Sequence, residues 1–244
     1  MNLLNALTKK TTTAVLTSIL LLSLFTSCKK ENSNAVPVSE ATAAEAISQS
    51  ISGESGGMSE QSSDACNVTT TQVFLLPCGV QHDSTISGSI TGPPISFSFN
   101  LSWNWILSCS NLGLPEKITF HLSGSSNYDG PSISSTGNST GTFEISDLAS
   151  LSAEYSMTAN YTRQGTTQSK VLNENSFTST ITVISSDIKI NKISRVISSG
   201  TAAVSITGTS FSGIAFSYTG TVTFLGDKKA TLTMSSGMVY QIAW

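Results

Sequence analysis

The stretch ISFSFNLSWNWIL, Ile95–Leu107, decides the fold. Ile95, Phe97, Phe99, Leu101, Trp103, Trp105 and Leu107 alternate with Ser96, Ser98, Asn100, Ser102 and Asn104. A period of two sends successive side chains to opposite faces of a strand, so one face here is dry and the other wet. At about 3.3 Å per residue the strand runs to roughly 40 Å, well past the usual length of about five or six residues.

Outward from this strand, the same period predicts others at 67–75, 82–90, 117–123, 141–146, 153–163, 168–173, 177–190, 193–207, 213–225, 229–235 and 238–243. Turn residues separate many of them: Asp129-Gly130, Gly165, Gly208, Gly226-Asp227 and Ser236-Gly237. No stretch after Cys66 keeps a helical period for three turns. The expected fold class is all-β, an antiparallel meander forming a barrel-like, curved or sandwiched sheet. Periodicity leaves open which of these it forms.

Three cysteines fall in or beside the strands: Cys66, Cys78 and Cys109. A hairpin of strands 82–90 and 95–107 that turns at Gly92-Pro93-Pro94 makes residues whose numbers add to about 187 face each other, and Cys78 and Cys109 satisfy that register. Directly opposed residues lie about 4.5 to 5.5 Å apart, within disulfide reach. The expected bridge is therefore Cys78 to Cys109. Cys66 and Cys78 would flank an extended strand of about 30 Å, so Cys66 is expected to be free.

Charged residues make up 11% of the chain, against about 25% for an ordinary soluble domain, and Ser plus Thr roughly 30%. The net charge is -3 and no basic stripe is visible, which excludes a phosphate-backbone footprint and with it a nucleic-acid partner. Residues 28–65 are rich in Ser, Ala, Glu, Gly and Asn, with few apolar positions to offset the entropy of ordering. They read as a tether ahead of a β domain at 66–244. Within the tether a short helix is expected at 39–51: Ser39 is its N-cap, Ile47 and Ile51 lie four apart, and Gly53, Gly56 and Gly57 end it.

Residues 1–27 have the parts of a secretory signal: Lys9 and Lys10, then an apolar run from Ala14 to Phe25 that is shorter than the roughly 20 residues of a spanning helix. The junction Leu24-Phe25-Thr26-Ser27-Cys28 resembles the lipobox of bacterial lipoproteins, particularly of the Bacteroidetes type. The resemblance implies that Cys28 is acylated and opens the mature chain, which gives a protein anchored to the outer membrane of the cell envelope through lipid. Several acyl chains, at about 0.8 kcal/mol per buried methylene, make such an anchor nearly permanent. The Ala/Glu segment ending at Gly56-Gly57, the Cys78-Gly79 step and the strands 220–224 and 230–233 are also similar to that lipoprotein family, which implies no activity. Asp83-Ser84-Thr85 resembles the short O-glycosylation signal of exported proteins of the same type. Tyr240, Ile242 and Trp244 resemble the closing signal of integral outer-membrane β-barrels, the alternative architecture.

Chemistry-bearing constellations are sparse. Gly137-Asn138-Ser139-Thr140-Gly141 fits the G-x-S-x-G string of hydrolase nucleophiles, but that string needs a strand before it and a helix after it. Here it reads as a loop before a strand that starts at Thr142, so a secreted hydrolase is the lesser alternative. His121 reads as a solvent-face residue opposite in phase to Ile118, Phe120 and Leu122, and His82 stands apart from it. No metal site and no cofactor is expected. Trp103 and Trp105 are the candidate ligand-facing aromatics, with core packing as their ordinary role. Tyr155, Tyr161 and Arg163 share one phase and read as a polar strand face. The expected function is a non-catalytic binding or scaffolding domain, with an envelope protein or a glycan as partner.

Overall fold

Alternation alone accounts for most of the architecture. The computed structural model describes residues 37–148, 151–170 and 176–244. Cys28 and the rest of 1–36 lie outside the described residues. Those described belong to one unit, Val36–Trp244.

Ten strands form a single antiparallel sheet in sequence order: β1 (Gln81–Ile90), β2 (Ser96–Cys109), β3 (Pro115–Asp129), β4 (Ile133–Ser146), β5 (Glu154–Ser169), β6 (Phe177–Asn191), β7 (Ile197–Ser210), β8 (Ala215–Gly226), β9 (Lys229–Met234) and β10 (Val239–Ala243). The meander is open, since β1 and β10 do not pair. The decisive stretch becomes β2, whose Leu101, Trp103, Trp105 and Leu107 are buried while Asn100 and Ser102 are exposed. β1 pairs with β2 from Gln81 opposite Ile106 to Ile90 opposite Phe97, the register that sets Cys78 against Cys109. Those two cysteines are bonded, with Cα atoms 5.8 Å apart.

Two helices line the inner face of the sheet. The first, α1 (Glu40–Ile51), is capped by Ser39, whose Oγ accepts a 3.2 Å hydrogen bond from the Thr42 N–H. Its Ala43, Ala44, Ala46, Ile47 and Ile51 are buried, so this part of the expected tether belongs to the core. After a 3-10 turn at Gly53–Ser55 comes α2 (Met58–Gln72), which replaces the strand expected at 67–75. The β domain does not begin at Cys66; the sheet starts at Gln81.

The buried face of α2 carries little hydropathy contrast. Its buried positions Met58, Gln61, Ser62, Ala65, Cys66 and Thr69 follow helical spacing, but most are small or polar. Ser62 Oγ donates to the Met58 carbonyl at 2.7 Å and Thr69 Oγ1 to the Ala65 carbonyl at 2.8 Å. A hydroxyl satisfied by its own helix packs like a small apolar group, and hydropathy does not register it. Cys66 is free and sits in this buried face, not at the end of a strand.

The sheet curls around the helices. A Cβ added at Gly53 would lie 3.0 Å from Trp244 Cδ1, and one at Gly56 would lie 2.7 Å from Phe99 Cδ1 of β2. Both margins of the sheet therefore reach the same short turn. Two glycines expected in turns lie inside strands instead. At Gly165 a Cβ would meet the Thr136 carbonyl oxygen at 2.2 Å, and at Gly208 the Thr178 oxygen at 2.2 Å. Close backbone approach in the curved sheet, not a reversal of the chain, requires glycine there. The expected strands 153–163 and 168–173 are accordingly one strand, β5.

Antiparallel order gives the sheet two ends. Turns after β2, β4, β6 and β8 lie at one, with the Cys78–Cys109 bridge; those after β3, β5, β7 and β9 lie at the other. The N-terminus of α1 is held at this second end, where Ser236 Oγ donates to Glu40 Oε1 at 2.7 Å and Ser132 bonds Glu45. Tyr218 Oη donates to the Val38 carbonyl at 2.8 Å.

Candidate functional site

The phase of β5 places Tyr155, Tyr161 and Arg163 on the inner face, all buried. The expectation of a polar strand face is thus reversed. Arg163 is 6% exposed; its Nη2 donates to Ser135 Oγ at 3.2 Å, while Nη1 has no hydrogen-bond partner. Among the described residues no carboxylate pairs with it. Beside it lies a cavity of about 20 Å³ lined by Ala46, Gln49, Ile133, Ser135 and Thr167, and Gln49 Oε1 is also buried without a partner. A donor and an acceptor facing one small polar cavity are the partners that a single buried water needs. Burial pushes the Tyr161 phenol above its ordinary range, and the Arg163 guanidinium partly opposes that shift. The cluster is a polar inclusion in an apolar core. It is too small for a substrate.

Trp103 and Trp105 sit in that core, with ring centroids 5.8 and 6.2 Å from Phe120. Their indole nitrogens are buried with no hydrogen-bond partner. His82 stacks on Trp105 at 5.9 Å, which separates it from His121 on the outer face.

The outer face carries a different surface. Asp83, Asn104, His121, Thr142 and Asn160 stand opposite one another across five successive strands, and His121 Nδ1 lies 3.1 Å from Thr142 Oγ1. Asp83, Ser84, Thr85, Asn104 and His121 line a shallow groove of about 510 Å³ there, with Trp103 at its floor but only 2% exposed. The groove presents hydroxyls, an amide, the Asp83 carboxylate and one imidazole, donors and acceptors suited to polar contacts.

Gly137-Asn138-Ser139-Thr140-Gly141 lies within β4, not in a loop. Ser139 is 3% exposed and points inward. With neither turn nor helix after it, this hydroxyl lacks the geometry of a nucleophile elbow. No group of three potential metal-ligating side chains occurs among the described residues. Sequence reasoning missed the burial of Arg163, although its shared phase with Tyr155 and Tyr161 carried that signal. No family model, curated protein or solved structure matches this chain.

Proposed function

We propose that this protein is an envelope lipoprotein, acylated at Cys28, whose β domain binds or scaffolds at a membrane surface without catalysis. The observation that carries the reading is Cys28 itself, placed at the end of a signal-like apolar run. The small size of the cavity beside Arg163, about 20 Å³, supports a scaffolding role. The outer face also weighs against the integral barrel. A lipid-embedded barrel needs an apolar outside and no free edge, whereas here the apolar side faces in, the outside carries Asn104, His121 and Asn160, and β1 and β10 do not pair with each other.

The mature N-terminus tests the anchor. Mass spectrometry of protein from a membrane fraction is expected to show Cys28 first, with acyl mass attached. Cys28→Ala is expected to leave the membrane fraction after a high-salt wash. A mature chain beginning elsewhere, or a variant that resists that wash, overturns the reading.

A further inference from the structure

We infer that the polar recess around Arg163 is a binding site for one monatomic anion, a halide such as chloride. Three adjacent strands build the recess from a small block of inward-facing residues. Ser135 of β4 stands opposite Thr167 of β5, Gly137 opposite Gly165 and Ser139 opposite Arg163, while Ser179 of β6 flanks Gly165 on its other side. Two glycines face to face put no side chain on the inner face there, and the cavity lies against Gly165. Ala46 and Gln49 of α1 border it from the helix side.

Charge selects the occupant. A guanidinium stays ionised throughout the physiological pH range, and Arg163 is 6% exposed. Burying an ion is strongly unfavourable unless a counter-charge accompanies it. None of the ion pairs among the described residues includes Arg163. Glu45, one helical turn before Gln49, accepts a hydrogen bond from Ser132, and Asp129 pairs with Lys170. Burial keeps the Tyr161 phenol protonated beside the guanidinium, so Tyr161 supplies no negative charge either. A water in the cavity would satisfy hydrogen bonds and leave the charge unbalanced, whereas an anion does both.

Donors converge on the same space. Arg163 Nη1 has no hydrogen-bond partner; Nη2 donates to Ser135 Oγ at 3.2 Å, which leaves the Ser135 hydroxyl proton to donate elsewhere. Thr167 and Ser179 add hydroxyls to the wall. Gln49 borders the cavity with an unpartnered Oε1, and a half-turn of its amide presents Nε2 instead, a further donor. Size sets the class of ligand. A cavity of about 20 Å³ has room for one water or one monatomic anion, and none for sulfate, phosphate or a carboxylate with its several heavy atoms. Bound there, the anion ties α1 to β4, β5 and β6 and makes stability depend on halide concentration. This interior site is independent of the lipid anchor.

The test melts the full chain in sodium chloride, sodium bromide and sodium sulfate at equal ionic strength. The melting temperature is expected to rise saturably with either halide, by about 3 to 6 °C for a tenfold excess over the dissociation constant. General exclusion of salt from the protein surface ranks sulfate above the halides and so predicts the reverse order. Arg163→Met, similar in length but uncharged, is expected to abolish the halide effect. Should that variant not fold, crystals of the unaltered protein grown in bromide decide the matter, with an anomalous peak expected within hydrogen-bonding distance of Arg163 Nη1. Sulfate that matches or exceeds chloride, a halide effect that survives in Arg163→Met, or a recess without a bromide peak overturns the inference and leaves the space to water.

Discussion

The two helices share one interior and fill it with different chemistry. α1 buries Ala43, Ala44, Ala46, Ile47 and Ile51 beside Thr42 and Ser50, whereas α2 buries Met58, Ala65 and Cys66 beside Ser59, Gln61, Ser62 and Thr69. Their attachments differ too. The start of α1 is held by hydrogen bonds from Tyr218 and Ser236, while the chain leaving α2 is tied covalently to β2 through Cys78 and Cys109. Burial in this protein is decided by size and by satisfied hydrogen bonds, and hydropathy tracks only the first helix.

Breaking the covalent attachment is expected to have the largest effect. Cys78→Ser with Cys109→Ser opens a loop of 31 residues and is expected to cost about 3 to 4 kcal/mol in urea unfolding. A cost below about 1 kcal/mol would show that packing alone docks the chain after α2. On α1, Ile47→Ala removes a fully buried side chain and is expected to cost about 3 kcal/mol by the same measurement. A loss within about 0.5 kcal/mol would return this helix to the role of a tether.

A charge on α2 sharpens the contrast further. Burial, with Glu60 one turn away, raises the Asp64 carboxyl from an ordinary 3.8 to about 6. The folded state thus holds this proton more tightly than the unfolded chain does, so Asp64 lowers stability progressively as pH rises from about 4 through 6. Asp64→Asn is expected to stabilise the protein more at pH 7.5 than at pH 4, by less than about 2 kcal/mol once solvent screening is discounted. Thermal melts at the two pH values check this, and an equal gain at both would remove the titration from the account. The smallest effect belongs to Ser62→Ala, expected within about 0.5 kcal/mol because the hydroxyl bonds only its own helix. A cost above about 1.5 kcal/mol would mean that the hydroxyl does more than fill space.

Legibility followed the same division. Strand alternation was plain wherever bulky apolar residues met Ser, Thr or Asn, and the hairpin register followed from the turn at Gly92-Pro93-Pro94, so the Cys78–Cys109 bridge could be expected. The cap at Ser39 and the spacing of Ile47 and Ile51 likewise marked α1. α2 was not legible, because its buried face carries little hydropathy contrast. Gly165 and Gly208 misled for a related reason: glycine marks a turn and a close backbone approach alike, and only the neighbouring strand distinguishes them. Trp103 and Trp105 were legible as aromatics of one face, but the phase could not say that Phe120 and the interior would cover them.

From its sequence alone the chain determined its alternating strands, its antiparallel order, one disulfide and the first helix, because each depends on local period, turn chemistry or a cap. Tertiary structure decided that residues 40–72 are core instead of tether and that Arg163 is enclosed. Those outcomes depend on how a curved sheet closes over what lies inside it. A one-dimensional period says which face a side chain takes, and only the packed sheet says what that face meets.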